Sequence, residues 1–359
     1  MKSIPVLVTG VGGGGIGEQI VKCLRMSSLI YDIVGGDMNR NSKGLAMVDH
    51  PYLFPAARDE AYIDTLLRTC KKHGVKALFT GSEPELKMVS RHREAFADAG
   101  VLLTLNPQRV LDICMDKNAT MRWFEENGVN APRSARITTM AEAEAFPCIP
   151  AVLKPSIGGS GSTNAFIARN EGEKEMFSRY LLTIYGEFII QEYVGTCESE
   201  YTVGVLFDME GNYLNTIAVK KNILSGLSNR MRIENTSGKP QYGKYLAISS
   251  GVSQGEIGRF PAITGPCVEI AKKLGCTGPA NLQCREQDGK VYVFEINPRI
   301  SGTSPLRAMV GYNEPDIMVR KYILGEDVPV DFAYGSGVIT RGLDEFFIDT
   351  EKFARIEMA

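Results

Sequence analysis

GPANLQCREQDGKVYVFEINPRISGT, residues 278–303, is the stretch from which the fold of this chain is read. Two apolar-rich runs, 278–285 and 290–297, flank Gln287-Asp288-Gly289, so the spacing predicts an antiparallel hairpin. Strand side chains alternate faces. That puts Tyr292, Phe294 and Ile296 on one side and Glu295 with Asn297 on the other, about 7 Å apart at Cα. Asn281 and Gln283 likewise share a face opposite Leu282 and Cys284. For Gln283 to meet Glu295, the connection needs an odd number of residues or a bulge. A three-residue turn with Gly289 in the left-handed position satisfies this. One carboxylate among neutral oxygens suits Mg²⁺, a hard ion that takes oxygen ligands, water and phosphates. Arg299, just beyond, is placed to meet a phosphoryl group.

Upstream, further β-type runs occupy 187–194, 200–207 and 213–220, with a hairpin turn at 208–212. A helix over about 116–127 leads through Gly128 and Pro132 to the strand Ala151–Lys154, and a glycine-rich loop follows at 158–161. This half of the chain reads as α+β with antiparallel sheets. The first 106 residues have another texture. The run 4–9, a glycine turn, a helix from Glu18 to Met26 and the run Tyr31–Val34 come first. A helix at 60–72, the strand Val75–Thr80, a single helix near 84–98 and the run Val101–Leu105 follow. Strands alternating with helices predict a parallel α/β sheet ending near Asn106-Pro107.

The turn Gly10–Gly17 sits between a strand and a helix, as a phosphate cradle requires, and Asp37 follows at the spacing of a ribose-binding acid. Four consecutive glycines do not match the dinucleotide spacing cleanly. The turn therefore reads either as a nucleotide site or as a tight strand–helix connection without one.

Composition narrows the classes. The 359 residues carry 40 Lys and Arg against 42 Asp and Glu, a balance that argues against a dedicated nucleic-acid binder. No run of about 18 apolar residues spans a membrane, and no signal-peptide core develops after Met1. Eight cysteines without a CxxC pair and three scattered histidines argue against zinc and read as reduced thiols in a cytosol. Trp123 and the cysteines read as packing residues.

Four segments in order resemble the ATP-grasp family, most closely its carbamoyl-phosphate-synthase-like branch. They are Asp116-Lys117 with the following WFEENGVNAPRS, 150–168, 188–208 and 278–303; the first 106 residues are similar to the pre-ATP-grasp domain of such modules. The resemblance implies a Rossmann-like N-terminal domain at 1–106 and an ATP-grasp domain at 107–325 with a lid at about 133–193. A C-terminal segment, 326–359, remains. It implies ATP and Mg²⁺ (or Mn²⁺) as cofactors. Lys117 and Lys154 would contact phosphates, the loop with Gly158, Gly159 and Ser160 would cover them, and Gln191-Glu192-Tyr193-Val194 would hold adenine. Glu200 would bind ribose. Gln283, Glu295 and Asn297 fall on metal-ligand positions and Arg299 on the catalytic phosphate-binding one.

The implied activity is a ligase that makes an acyl phosphate from a carboxylate and couples it to an amine, both small molecules, releasing ADP and phosphate. Gly13, Gly14, Glu83 and Glu85 are expected at the acceptor pocket. Arg230 and Arg232, in a loop at 222–243, suit an acidic substrate or simply a solvated surface. A cytoplasmic enzyme is expected; the oligomeric state stays open, with a homodimer among the arrangements since such modules often pair. Rival readings are a carbamate- or carbamoyl-phosphate-forming enzyme acting on bicarbonate, an NAD(P) oxidoreductase using Gly10–Gly17 and Asp37, and a non-catalytic ATP-binding module.

Overall fold

Six strands pair in parallel in the N-terminal half, in the order Glu357–Met358, His50–Leu53, Tyr31–Asp37, Ile4–Thr9, Ala77–Phe79, Leu102–Leu103. The structure is a computed structural model that describes residues 3–156, 164–224, 226–343 and 355–359. The central strand Ile4–Thr9 is apolar on both faces because both are covered, as a parallel sheet demands. Val6 and Val8 pack toward the helix Ile16–Arg25, and Leu7 packs toward Tyr62–His73 and Glu83–Arg91. The expected helix near 84–98 is two, Glu83–Arg91 and Arg93–Asp98, broken at His92. The strand at His50 and the helix Gln108–Cys114 carry no strong pattern and went unforeseen.

The second half is antiparallel. Its main sheet runs Lys290–Asn297, Pro279–Gln287, Glu200–Phe207, Tyr213–Lys221, Gly255–Gly258, Gly337–Ile339. One face buries Val203, Val205, Leu282, Cys284 and Val293 against the helix Pro261–Leu274. A four-stranded sheet, Ser134–Ile137, Phe188–Glu192, Ala151–Lys154, Phe166–Ala168, lies under the helix Glu171–Tyr185. Residues 222–243 are not one loop. Asn229–Glu234 is a strand paired with Tyr245–Ser249, with Arg230 and Arg232 on its exposed face. The C-terminal segment is shared out, one strand to the main sheet and one to the parallel sheet.

The hairpin at 279–297 corrects the sequence reading in an instructive way. Gln287 pairs with Lys290, so the turn has two residues, Asp288 and Gly289, at φ 53° and 75°. Positive φ at both is the turn type that matches strand twist. A regular ladder from that turn would pair Gln283 with Phe294 and drive Glu295 and Asn297 into the core. The ladder stays regular as far as Cys284 with Val293, but Gln283 then pairs with Glu295, leaving Phe294 as an extra residue in a bulge. Val291, Val293 and Ile296 therefore reach the core, while Phe294 joins Glu295 and Asn297 on the opposite face. The expected grouping of Tyr292, Phe294 and Ile296 fails at this bulge.

Close packing of the first helix on the first strand depends on Gly17, where a Cβ would lie 2.3 Å from the Thr9 carbonyl oxygen. Gly17→Ala is expected to cost about 2–4 kcal/mol in urea denaturation, as overpacking against backbone does. Gly265→Ala, on an exposed helix position with open space around it, should instead gain about 0.4–1 kcal/mol.

Candidate functional site

Residues from all four sheets and their loops line one cleft of about 460 Å³, within the range of small-molecule sites. Part of its lining is apolar, made of Pro132, Val152, Val194, Ile248 and Phe294. The segment Gln191–Val194 crosses it and is pinned by backbone bonds, Glu192 N–H to the Arg133 carbonyl (2.8 Å) and Tyr193 N–H to the Pro150 carbonyl (3.1 Å). The Tyr193 ring is fully buried, its hydroxyl accepting the Ala247 N–H at 3.0 Å. What the hinge offers a ligand is therefore backbone, Gln191 and Glu192.

Lys117 and Lys154 lie beside the apolar part, in a recess they share with Gln191 and Phe294. Lys117 starts the helix Lys117–Glu126, whose N-terminus is capped by the Asp116 carboxylate on Asn118 N–H (2.8 Å) and Ala119 N–H (3.3 Å). Lys154 donates to Gln191 Oε1 at 3.0 Å, and Gln191 in turn donates to Ser134 Oγ at 2.9 Å. Burial pulls the Lys154 ammonium down to about 8; nearby Glu295 opposes that and Lys117 adds to it. Gly158, Gly159 and Ser160 lie outside the described residues.

The cleft floor holds an ion cluster that sequence reasoning only half saw. Glu200, 2% exposed, accepts Lys221 Nζ (2.9 Å) and Ser249 Oγ (2.6 Å) on one oxygen and Arg285 Nε (2.9 Å) and Nη2 (2.8 Å) on the other. Burial alone would raise its carboxyl, but Lys221 and Arg285 hold it down to about 2. With four donors on two oxygens, a ribose hydroxyl would have to displace one of them. Lys221 and Arg285 had no motif to betray them. The signal available was their placement on the strands flanking Glu200, Arg285 being its direct cross-strand partner.

Lys221 Nζ also donates to Gln283 Oε1 at 2.8 Å. An ammonium can only donate and a carboxylate only accept, so the Gln283 amide nitrogen is directed at Glu295, to which it donates. Asn297 Oδ1 accepts Arg299 Nη2 at 2.9 Å. Arg299 is half-buried, desolvation lowering its pKa against Glu83 and Glu295, and its Nε has no partner among the described residues. Its nearest carboxylate is Glu83, 3.7 Å away. Glu83, Lys117, Lys154, Glu295 and Asn297 share this one small recess.

The glycine turn meets the cleft at Gly14 and Gly15, not at Gly13. Two of its N–H groups are taken by carboxylates: Gly12 donates to Asp37 (2.9 Å) and Gly14 to Glu18 (3.0 Å). Asp37's other oxygen takes the Asn39 N–H at 2.9 Å. Asp37 thus closes the turn and a second carboxylate, Glu18, lies on its Gly14 N–H, an arrangement that weighs against a bound pyrophosphate and the oxidoreductase reading. Glu85 is buried against Ser82 and faces away from the cleft lining. Arg230 lines the cleft; Arg232 lies over the Tyr245 ring, 5.2 Å from its centroid, outside it.

Comparison with known proteins agrees with this architecture. Residues 6–104 match the family model of the PylC-like N-terminal domain, and residues 186–338 match that of ATP-grasp in the biosynthetic pathway with Ter operon. A carbamoyl phosphate synthase large chain from Thermomicrobium roseum is 27% identical over 60% of this chain and 19% of that one. The chain thus spans about a fifth of that relative's length. Among solved structures, N5-carboxyaminoimidazole synthetase from Staphylococcus aureus complexed with ADP superposes with a TM-score of 0.66. It is 13% identical, over 93% of this chain and 81% of that one. L-amino acid ligase from Bacillus licheniformis gives 0.60 at 18% identity, over 89% and 74%. The fold is ATP-grasp, with a Rossmann-like domain in front. No helix among the described residues is long and apolar enough to cross a membrane.

Two outcomes are expected of these geometries. Glu200→Ala strands two buried cations and should lower stability by about 3–5 kcal/mol in urea denaturation. With Lys154 titrating at about 8, it is charged at pH 7 and largely neutral at pH 9. Affinity for MgATP should then fall about tenfold over that range, with proton uptake on binding seen in buffer-dependent calorimetric heats. Lys154→Arg, always charged, should flatten the dependence.

Proposed function

We propose that this ATP-grasp chain is an ATP- and Mg²⁺-dependent, ADP-forming ligase that converts a carboxylate to an acyl phosphate and joins it to an amine. The observation that carries the reading is the meeting, in one recess, of Lys117 and Lys154 with Glu295, Asn297 and the neighbouring Arg299. Across the cleft as a whole six cations stand against four carboxylates, Lys117, Lys154, Lys221, Arg230, Arg285 and Arg299 against Glu83, Glu192, Glu200 and Glu295. An excess of positive charge lining one cleft asks for a polyanion, and the apolar part beside the hinge suits a flat base.

The donor set fits a hard divalent cation. Glu295 keeps an oxygen beyond the one Gln283 engages, and Asn297 offers Oδ1 next to it. Mg²⁺ takes its remaining ligands from phosphate oxygens and water, so few protein oxygens are required. Bound Mg²⁺, or Mn²⁺ in its place, would neutralise phosphate charge. The chain's own work is positioning. Lys117 and Lys154 hold phosphate oxygens, Arg299 with its unpartnered Nε follows the phosphoryl group onto the carboxylate, and no side-chain nucleophile is needed.

A malachite-green screen of carboxylates and amines with MgATP tests the reading. The expected products are ADP and phosphate, and hydroxylamine in place of the amine should trap a hydroxamate. Glu295→Ala should remove most turnover. Arg299→Ala should lower kcat by about 10²–10³ with little change in nucleotide affinity, since its contact strengthens as charge moves. AMP as product would overturn the proposal, and ATPase activity that responds to bicarbonate but to no organic carboxylate would move it to carbamate chemistry.

A further inference from the structure

Among the carboxylates around the phosphate side of this cleft, Glu83 is the one held only by a long ion pair, to Arg299. Glu200 is saturated by Lys221, Ser249 and Arg285; Glu295 takes the Gln283 amide and faces Lys154; Glu192 belongs to the hinge. Glu83 heads the helix Glu83–Arg91 of the N-terminal domain, its side chain 36% exposed, with Arg299 at 3.7 Å, beyond hydrogen-bond length. It nevertheless shares its recess with Lys117, Lys154, Glu295 and Asn297, where the ligase reading puts the terminal phosphate.

From this placement we infer that Glu83 binds the ammonium group of the second substrate, which is therefore a compound carrying a protonated primary amine, and takes the proton that frees its nitrogen to attack. The inference rests on the ligase reading. Its logic is charge balance. When a triphosphate binds with Mg²⁺, Arg299, Lys117 and Lys154 turn to phosphate oxygens and the ion is held on Glu295 and Asn297, so Glu83 is left beside the phosphates with no cation of its own. A carboxylate in that position repels the nucleotide unless a cation comes between them. An ammonium does so and is held next to the acyl group it must attack.

The remaining wall leaves room for it. Gly14 and Gly15 line the cleft on the N-terminal side, and around Gly13 and Gly14 a Cβ would meet nothing within 4 Å. Opposite lie Ser301, Gly302 and Thr303, small and polar. The chemistry balances without further reagents. Glu83 accepts one proton from R–NH₃⁺, the nitrogen lone pair forms the C–N bond, the C–O bond to phosphate breaks, and the second N–H proton leaves with phosphate or solvent.

Calorimetry on the full chain saturated with MgADP, titrated with methylammonium, glycinamide and putrescine, tests the binding half. N-acetylglycinamide serves as the uncharged control. At least one cationic probe should bind wild type tenfold or more tighter than Glu83→Gln, with Glu83→Asp restoring part of the difference, and the acetylated control should show no such preference. The kinetic half compares amines with hydroxylamine, which is uncharged at pH 7.5. In Glu83→Gln, amide formation should fall at least 30-fold more than hydroxamate formation. Equal or absent binding of every cationic probe to the two proteins, or a parallel loss of amide and hydroxamate, would make Glu83 a mere brace for Arg299 and overturn the inference. If MgADP itself fails to bind wild type, the ligase reading falls with it.

Discussion

One buried carboxylate ties the molecule's central sheet to everything that faces it. Glu200 stands on the strand Glu200–Phe207, Lys221 on one neighbouring strand and Arg285 on the other, so the ion cluster spans three adjacent strands. Arg285 reaches further, donating to the Val194 carbonyl (3.2 Å) and the Ala247 carbonyl (2.8 Å), with its guanidinium 4.4 Å from the Tyr193 ring centre. Hinge, small two-stranded sheet and main sheet are thereby held around one charge. Burying three ions is expensive unless every lone pair and proton is matched, and here the carboxylate's are. The same cluster fixes Gln283 through Lys221, and Gln283 fixes Glu295. The orientation of the candidate metal carboxylate is thus set two residues away from it.

The bulge at Phe294 is the second constraint. A two-residue turn with positive φ at Asp288 and Gly289 is the favoured hairpin closure, but its register alone would hide Glu295 and Asn297 in the core. Inserting Phe294 reverses the faces from that point on and places an aromatic ring on the cleft wall. Bulges near sites re-aim side chains in this manner. Here a local irregularity reconciles good turn geometry with good site geometry.

These two features show where the sequence was legible and where it was not. Strands 4–9, 151–154, 200–207 and 290–297 were bounded correctly because short apolar runs end at Gly, Pro or charged residues. The partnership of Asn281 with Gln283 and of Glu295 with Asn297 followed from strand period alone. The bulge did not, because a single extra residue leaves no compositional trace. Nor did Lys221 and Arg285 stand out, since a buried ion pair is made by residues far apart in sequence, 21 and 85 positions from Glu200. Asp37 misled for a related reason: an acid about 20 residues after a glycine turn serves equally to close that turn, and only the bonds to Gly12 and Asn39 tell which.

The electrostatics of the recess follow from burial rather than from any special residue. Lys154 is half-buried among desolvating neighbours and so gives up its proton more readily than a free lysine, while Arg299 keeps its charge but has an Nε without an acceptor among the described residues. Both are costs of the protein alone, and both are relieved by an anion placed between them. Groups held in an unfavourable state before binding need no rearrangement when charge develops, which is the condition for electrostatic stabilisation of a transferring phosphoryl group. Arg299 is in turn anchored on Asn297 Oδ1, next to Glu295. The group that must follow the phosphate is therefore positioned by the pair that would hold its counter-ion. Displacing either end would move the other, so the recess acts as one unit rather than as independent contacts.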